Sequence, residues 1–268
     1  MTSRRTPTVR LSRDGGDVIE RAIAIETPVA VEFNGIGYAV MMMTAADLPA
    51  FALGFALTER IAATVDEVTD VDVADVSAGV VLRITVSEAA AARIGDRIRH
   101  RTSDTGCGLC GISGLEALHR PLPAPPPRPL VKRDAIFAAI DVIGDRQALN
   151  RETGAVHAAA WCNSEGSIVA IAEDVGRHNA LDKLIGLLGG IAPPDGFGLV
   201  TSRVSFEMAD KALVARMPLL VGISAATTMA LDHAGTHGLT LIALARRDAM
   251  LVMNDPWECF TAGSGGGT

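Results

Sequence analysis

A proline-rich segment divides the chain into two parts. Residues 121–129, PLPAPPPRP, contain six prolines in nine positions. Proline fixes its own φ and lacks an amide donor, so this segment cannot continue a helix or a central strand. The chain of 268 residues is long enough for two modest domains. We expect a small domain over 1–100, a cysteine-bearing loop and linker over 101–130, a second domain over 131–262 and a disordered tail over 263–268.

The part before the prolines has the pattern of a small α+β domain. Strand patterns occur at 29–33, 38–42, 71–76 and 79–86. The pair Asn34-Gly35 is typical of a hairpin turn between the first two. Thr44 is expected to cap an apolar helix that reaches about Ile61, and residues 87–120 are expected to be a connector. Strands together with a helix on one sheet predict the α+β class.

The part after the prolines alternates helix and strand patterns. Helices are predicted at 132–149, 178–188, 205–216 and 225–235, and strands at 155–163, 167–173, 197–201, 218–223, 239–245 and near 250. Helices that alternate with short apolar strands favour a mostly parallel sheet covered on both faces. The second part is therefore predicted to be an α/β domain.

Half of the cysteines form one Cys-x-x-Cys pair. Cys107 and Cys110 are framed by glycines, and a capping box at Ser113 and Glu116 follows them. A local basic run precedes the pair, at Arg93, Arg97, Arg99, His100 and Arg101. Nearby cations and a helix N-terminus both favour the thiolate, which is the nucleophilic form of cysteine. The pair therefore predicts a reactive thiol.

Other interpretations of the cysteine pair are less well supported. A structural zinc ion needs four ligands, usually from two close pairs, whereas Cys162 and Cys259 stand alone in apolar stretches. A structural disulfide is disfavoured because nothing marks the chain as secreted. A thiol-disulfide oxidoreductase remains an alternative, although the βαβ setting of thioredoxin-like motifs is absent. Redox or sulfur-carrying chemistry is the favoured interpretation.

Three predicted strand-to-helix junctions carry polar and basic side chains. Arg177 and His178 lie at the first junction, Arg203 at the second and Ser224 at the third. In open α/β sheets, ligands bind outside the carboxyl ends of the strands. Helix N-termini with arginines beside them would suit an anion such as phosphate. Lys211, further along the second helix, is expected to be solvated.

The other polar residues give weaker signals. His157 is expected to be an interior histidine, and His233 and His237 lack the carboxylate that a His-Glu-x-x-His zinc motif would place between them. Asp182 and Lys183 could be solvated charges on a helix. The chain contains no Gly-x-Ser-x-Gly elbow, so a serine hydrolase is not supported.

Charge and hydropathy narrow the class of protein further. The formal net charge of -7 argues against sequence-independent binding to nucleic acid, because such binding needs a surface that neutralises phosphates. The N-terminal residues carry arginines without an apolar run behind them, so no signal peptide is predicted. No uncharged apolar stretch is long enough for a membrane span. A cytoplasmic protein is expected.

Five sequence blocks resemble the FdhD family, sulfur carriers that are needed to mature formate dehydrogenases. The blocks are TGCGLCG at 105–111, TGAVHAAAW at 153–161, EDVGRHNALDK at 173–183, SRVSFEM at 202–208 and SAATT at 224–228. The resemblance covers nearly the whole chain and implies a three-layer, cytidine-deaminase-like second domain. Zinc deaminases carry H-x-E and P-C-x-x-C motifs, which are missing at the corresponding junctions here. The resemblance therefore implies neither zinc nor deamination.

The same resemblance implies a sulfurtransferase. A cysteine desulfurase would load sulfur as a persulfide on Cys107, and the sulfur would pass to molybdenum in a bis(molybdopterin guanine dinucleotide) cofactor bound for apo formate dehydrogenase. Cys110 could resolve the persulfide or relay the sulfur. The resemblance also suggests a homodimer. A non-catalytic chaperone that binds the guanine-nucleotide-containing cofactor is the alternative function.

The resemblance also indicates a cofactor-binding loop after the last long strand. The loop residues are Leu244, Ala245, Arg246, Arg247, Asp248 and Ala249. Arg246 is the strongest candidate for a phosphate contact in this loop, because guanidinium can bind phosphate with two hydrogen bonds. Arg177, His178, Arg203 and Ser224 from the three junctions complete the candidate cofactor-binding residues.

Overall fold

The first part of the chain forms a two-stranded ribbon, a four-stranded sheet and two helices. The structure is a computed structural model that describes residues 1–101 and 121–260, with only the backbone described for 95–101. The elements of the first part are β1 (Ser3–Ser12), β2 (Gly15–Ala24), β3 (Thr27–Phe33), β4 (Ile36–Met43), α1 (Leu48–Thr58), β5 (Val68–Val76), β6 (Gly79–Val86) and α2 (Glu88–Arg101), with a 3-10 turn at Val65–Glu67. The sheet has the order β4-β3-β6-β5. Only β3 and β6 are parallel neighbours in it.

The predicted hairpin of the first part is confirmed. Asn34 and Gly35 join β3 to β4 with φ values of 48° and 77°, as expected when both turn residues are left-handed. The predicted helix cap is wrong, because Asp47 precedes α1 and no side chain caps it. Thr44 is buried and bonds instead to Asp174, at 3.1 Å from its backbone amide to the carboxylate.

Two features of the first part were not predicted. The ribbon of β1 and β2 is exposed along most of its length, so its sequence lacks the one-sided apolar pattern of a packed strand. Residues 88–101 were expected to belong to a connector, but they form α2. Arg93 on this helix donates a 2.8 Å hydrogen bond to the carbonyl of Ile61 and pairs with Glu67. Tertiary contacts therefore hold a helix whose sequence is largely polar.

The second part contains the predicted helices and strands with boundaries shifted by a few residues, except that the helix predicted at 132–149 is divided into two at Gln147. They are α3 (Arg133–Arg146), α4 (Ala148–Thr153), β7 (His157–Asn163), β8 (Ile168–Asp174), α5 (Arg177–Leu187), β9 (Gly196–Val200), α6 (Phe206–Val214), β10 (Leu219–Gly222), α7 (Thr228–His237), β11 (Thr240–Ala243) and β12 (Leu251–Asn254). None of the helices that the structure describes is both long and apolar enough to cross a membrane.

The second part is built on a mixed sheet with the order β12-β11-β10-β9-β7-β8. Strands β9, β10 and β11 are parallel, but β7 is antiparallel to both of its neighbours and β12 is antiparallel to β11. The prediction of a mostly parallel sheet is therefore wrong. Only residues 164–167 separate β7 from β8, and a parallel connection needs a crossover of a dozen residues or more.

Helices cover both faces of this sheet. Alternate residues of its strands enter different cores: Trp161 packs with residues of α5, α6 and α7, whereas Cys162 packs with residues of α3. A strand buried on both faces has a continuous apolar sequence, as the run from Ala158 to Cys162 shows. The mixed α/β class predicted for the chain is confirmed.

The two parts pack directly against each other. Helix α1 of the first part lies against α5 of the second, and the contact includes Gly54 and Gly186. At the end of β4, the carbonyl of Met42 accepts a 3.1 Å hydrogen bond from the Asn179 side chain. The domain boundaries drawn from the sequence stay a prediction, but the two parts on either side of the proline-rich segment are in direct contact.

Candidate functional site

One edge of the mixed sheet collects the polar junctions. Thr201 after β9 donates a 3.0 Å backbone hydrogen bond to Ala158 at the start of β7, and Leu244 after β11 donates another of 3.0 Å to Ser224 after β10. In the strand register, His157 at the start of β7 lies opposite Asp174 at the end of β8. We call residues 157, 174–178, 201–205, 223–228 and 244–246 the junction edge. The structure thus brings the three predicted junctions together.

Three helices begin at the junction edge. The residues before α5, α6 and α7 are Gly176, Ser205 and Thr227. Thr227 caps its helix by accepting a 3.3 Å hydrogen bond from the amide of Ala230, whereas no side chain caps α5 or α6. Unpaired amides at a helix N-terminus carry partial positive charge and favour anions. The edge therefore has the electrostatic character expected of an anion site.

Arg177 and His178 are the first two residues of α5 and are half-buried. Arg177 Nε and His178 Nε2 are buried atoms without a hydrogen-bond partner among the described residues. Burial, followed by the charges of Arg177 and Lys211, lowers the pKa of His178 to about 4. Burial and Arg177 also lower the pKa of His157. Both imidazoles are therefore neutral near pH 7 and can donate or accept hydrogen bonds.

Glu207 adds a carboxylate that was not among the predicted site residues. Burial opposes its charge, but hydrogen bonds from its own backbone and from Ser205, and then the charge of Arg177, lower its pKa overall. The only sequence signal was its position in the first turn of α6, where acidic residues are common. Glu207 is therefore an ionised carboxylate near Arg177 at the start of α6.

Asp174 and Lys183 form a buried ion pair rather than solvated charges. Lys183 Nζ lies 2.6 Å from Asp174 and 2.8 Å from the carbonyl of Thr44, and both charged side chains are fully buried. Asp174 also accepts hydrogen bonds from Gly176 and Asn179. The pair fixes the start of α5 against the first part of the chain, so it stabilises the junction edge.

Lys211 and Asp182 form a second buried pair, so the prediction that Lys211 is solvated is wrong. Its ammonium lies 2.8 Å from both carboxylate oxygens of Asp182 and from the hydroxyl of Thr58. Burial raises the pKa of Asp182, while Lys211 and then Thr58 act against this rise. Sequence could not reveal this cluster because Thr58, which bonds to both charged residues, lies 124 positions from Asp182 and 153 positions from Lys211.

Glu173 has a structural role on the other side of the sheet. Its carboxylate accepts hydrogen bonds of 2.9 and 2.8 Å from the amides of Leu149 and Asn150. It therefore caps α4, where a negative charge is favourable. Its neighbour Asp174 serves α5, so two successive carboxylates stabilise helices on opposite faces of one strand.

His233 and His237 are not arranged as a pair of metal ligands. The nitrogen His233 Nε2 lies 3.0 Å from Asp210, and the two imidazole centroids are 4.7 Å apart. Arg60 binds the same carboxylate with two hydrogen bonds, of 2.9 and 2.8 Å. Within residues 1–94 and 121–260, no group of three His, Cys, Asp or Glu side chains is arranged to hold a metal ion.

The predicted cofactor-binding loop spans two surfaces. Leu244, with φ of 49°, and Arg246 are exposed at the junction edge, whereas Ala245 is buried in the core under α3. Arg247 turns toward α3, where its Nε lies 3.6 Å from Asp141. Asp248 and Ala249 line a cavity of about 730 Å³ together with Lys132, Arg133, Asp134, Phe137, Met250, Val252, Cys259 and Phe260. The structure therefore does not gather the six loop residues at one point.

The predicted sulfur-bearing residues are not among those that the structure describes. Cys107 and Cys110, with the capping box at Ser113 and Glu116, lie within 102–120, outside the described residues. The predicted tail over 263–268 lies outside them too. Arg93 is the described member of the basic run whose contacts are known, and its guanidinium is held by Ile61 and Glu67. The candidate site that can be built is thus the junction edge.

This architecture has a counterpart of known structure. A crystal structure of a formate dehydrogenase accessory protein from Desulfotalea psychrophila matches with a TM-score of 0.73 and 22% sequence identity, over 96% of this chain and 99% of that one. The likeness defines the class: a mixed α/β protein with this arrangement of sheets and helices. The chain belongs to the FdhD/NarQ family, whose model matches residues 24–259. The family resemblance carried by the five sequence blocks is confirmed.

Relatives with much higher identity carry a functional name. A protein of Variovorax paradoxus strain S110 named sulfur carrier protein FdhD is 46% identical over 238 residues, which cover 88% of this chain and 86% of the relative. A protein of the same name from Xanthomonas euvesicatoria pv. vesicatoria is 43% identical over 252 residues, covering 93% and 90%. The similarity extends through both parts of the chain.

Proposed function

We propose that the chain is a sulfur carrier for the maturation of formate dehydrogenase. It takes sulfur from a cysteine desulfurase as a persulfide on Cys107 and delivers it to the molybdenum cofactor before the cofactor enters the apoenzyme. The observation that carries the proposal is membership of the FdhD/NarQ family, with relatives at 46% and 43% identity named sulfur carriers. We further propose that it acts in the cytoplasm as a homodimer.

Sulfur loading is a thiol exchange. The Cys107 thiolate attacks the terminal sulfur of the donor persulfide, a new S–S bond forms on Cys107, and the donor cysteine leaves as a thiolate. On delivery, the Cys107 S–S bond breaks and the terminal sulfur takes two electrons from reduced molybdenum to become sulfide. Cys107 returns to its thiolate. Cys110 then either resolves a stranded persulfide as a disulfide or relays the sulfur.

The junction edge supplies a place for the anionic cargo. Uncapped N-termini of α5 and α6 face it, and Arg177, Arg203 and Arg246 add positive charge beside them. Guanidinium groups suit phosphate because they can form two parallel hydrogen bonds. His178 and Ser224 add neutral hydrogen-bonding groups. We propose that the guanine-nucleotide ends of the cofactor bind here, and that residues 244–249 contribute through Leu244 and Arg246.

We also propose that the second domain is a cytidine-deaminase-like domain that has lost its chemistry. The sequence of two antiparallel strands, a helix and then parallel strands joined by helices supports this assignment. Zinc deaminases need an H-x-E motif at one helix start and a P-C-x-x-C motif at the next. Here those starts carry Arg177, His178 and Asn179 in one case and Ser205 in the other. Function follows the site rather than the fold.

Mass spectrometry after sulfur loading tests the proposed carrier. The protein is incubated with a cysteine desulfurase and cysteine, and the peptide containing Cys107 should gain about 32 Da, one sulfur atom. Cys107→Ser should abolish the gain, whereas Cys162→Ala, which changes a buried thiol, should not. A gain that survives Cys107→Ser but is lost with Cys110→Ser would show that the sulfur-bearing residue was assigned wrongly.

Maturation of formate dehydrogenase separates a carrier from a chaperone. Cells that produce only Cys107→Ser should make formate dehydrogenase protein that is inactive because its molybdenum lacks sulfur. Full activity in cells with the double variant Cys107→Ser, Cys110→Ser would instead favour a non-catalytic cofactor chaperone. Binding of GDP to the purified protein tests the junction edge independently, since Arg177→Met should weaken it without affecting sulfur loading.

A further inference from the structure

A continuous line of contacts joins Pro121, where the described chain resumes, to the start of α6. The carbonyl of Pro121 accepts a 3.1 Å hydrogen bond from Arg60 Nε. The two terminal nitrogens of Arg60 donate to Asp210, at 2.9 and 2.8 Å. Asp210 is 3.0 Å from His233, whose ring lies 4.4 Å from that of Phe206, the first residue of α6. Elements distant in sequence are thus connected by direct contacts.

Arg60 is held in an unusual and well-defined position. Its φ of 55° lies in the left-handed region, which few residues other than glycine adopt. The side chains of Arg60, Asp210 and His233 are only 18%, 15% and 10% exposed. Burial opposes ionisation of Asp210, but hydrogen bonds and charge from Arg60 and then His233 lower its pKa overall. A partly buried, bidentate pair of this kind is a firmer anchor than an exposed one.

The turn after α1, which contains Arg60, also contacts α2, which precedes the cysteine pair in sequence. Arg93 on α2 donates a 2.8 Å hydrogen bond to Ile61 and pairs with Glu67. The turn after α1 therefore contacts described residues both before and after the cysteine pair in sequence. The same turn also reaches α6, through the pair of Arg60 with Asp210.

We propose that Arg60 is a positioning residue for sulfur delivery, which fixes the chain at Pro121 relative to the α6 end of the junction edge. The inference rests on the proposed function and names a residue that acts in its delivery step. Arg60 uses its Nε for Pro121 and both terminal nitrogens for Asp210 at once. Lysine can keep the charge but not this fixed, forked geometry. Misplacement of reacting groups by as little as about 1 Å can cost about a hundredfold in rate.

The test compares Arg60→Lys and Arg60→Met with the full-length wild type. The matched control is Arg83→Met, which removes an exposed arginine paired at 2.8 Å with Asp72 on the four-stranded sheet. Sulfur loading by the desulfurase should stay within about twofold, because loading does not use the junction edge. Single-turnover delivery to the cofactor should fall about tenfold or more in both Arg60 variants, including the lysine variant that keeps the charge. Arg83→Met should match the wild type in both steps.

Two further measurements separate positioning from a merely structural role. Asp210→Asn should slow delivery as Arg60→Met does, and the double variant should be no slower than either single one, because both changes break one connection. Melting temperatures identify loss of the fold. Equal losses of loading and delivery that Arg60→Lys restores together would overturn the inference, as would normal delivery by Arg60→Met.

Alkylation of Cys107 by iodoacetamide provides a readout that does not depend on sulfur transfer. GDP should change the alkylation rate in the wild type, and this response should shrink at least about threefold in Arg60→Met. If the wild type neither loads nor delivers sulfur, the proposed function fails, while this response still tests whether Arg60 fixes the chain at Pro121 relative to the junction edge. The absence of any difference between the GDP responses of the wild type and Arg60→Met would then overturn it.

Discussion

Gly54 on α1 and Gly186 on α5 each face the backbone of the opposite helix. A Cβ atom on Gly54 would lie 1.8 Å from the carbonyl oxygen of Asp182, and one on Gly186 would lie 1.8 Å from that of Ala50. The two helices therefore approach at distances that only glycine permits. This approach also brings Thr58 to within 2.7 Å of Asp182, so the crossing makes the buried Lys211 pair possible.

Replacement of either crossing glycine should destabilise the protein strongly. Gly54→Ala and Gly186→Ala force the helices apart, which we expect to lower the free energy of unfolding by about 3 kcal/mol. Gly144→Ala on α3 is the matched control, because a Cβ there meets nothing within 4 Å. The control should be neutral or stabilising by about 0.5–1 kcal/mol. Urea unfolding measures all three, and equal responses would contradict the proposed close crossing.

Loss of Lys183 should leave a buried carboxylate without its partner. Lys183→Met removes the ammonium 2.6 Å from Asp174 and should cost about 3–5 kcal/mol in unfolding free energy. Arg10→Met, which breaks an exposed pair with Asp17 in the ribbon, should cost about 1 kcal/mol or less. Adding Asp174→Asn to Lys183→Met should recover part of the loss. A cost for Lys183→Met as small as that for Arg10→Met would show that the pair is not buried in solution.

His178 should make the protein less stable in mild acid. Its pKa falls from 6.5 to about 4 on folding, so the unfolded chain takes up the proton first as the pH drops. Between these two values, its contribution to stability should fall by on the order of 1 kcal/mol per pH unit. The variant His178→Gln has no such titration. The unfolding free energy of the wild type minus that of the variant should therefore fall from pH 7 to pH 4. A constant difference would refute the assignment.

Cys162 should not react in the folded protein. Its side chain is fully buried, and burial raises the pKa of its thiol to about 12. Iodoacetamide at pH 8 should therefore leave Cys162 unmodified while it reaches Cys259, which is partly exposed. Peptide mass spectrometry before and after denaturation gives the comparison. Modification of Cys162 in the native protein at the rate of Cys259 would contradict its placement in the core.

The elements of the second part could be predicted because their apolar runs are short and clearly bounded. The run from Ala158 to Cys162 is buried on both faces of the sheet, so it stands out from the polar residues around it. The junction edge was predicted for a related reason, since Arg177, Arg203 and Ser224 each follow such a run. Strand direction was harder, because the pattern of a buried strand is the same in either orientation.

The buried charges could not be predicted from sequence. Asp182, Lys183 and Lys211 have the spacing of solvated residues on helices, and the packing of the first part of the chain against these helices makes them interior. Their partners in the first part lie 124 to 153 positions away along the chain. Arg60 gave no signal for the same reason, since Asp210 is 150 positions from it. Long-range pairs of this kind arise from the tertiary fold.

The hydrogen bonds of Thr44 bear on how the family can evolve. This residue belongs to the first part, yet it contacts Asp174, Val175 and Lys183 of the second. A chimera that joined the first hundred residues of one relative to the remainder of another would have to preserve this contact and the two crossing glycines together. Exchange of one part alone would therefore be expected to disturb the other, even though a run of prolines separates them in sequence.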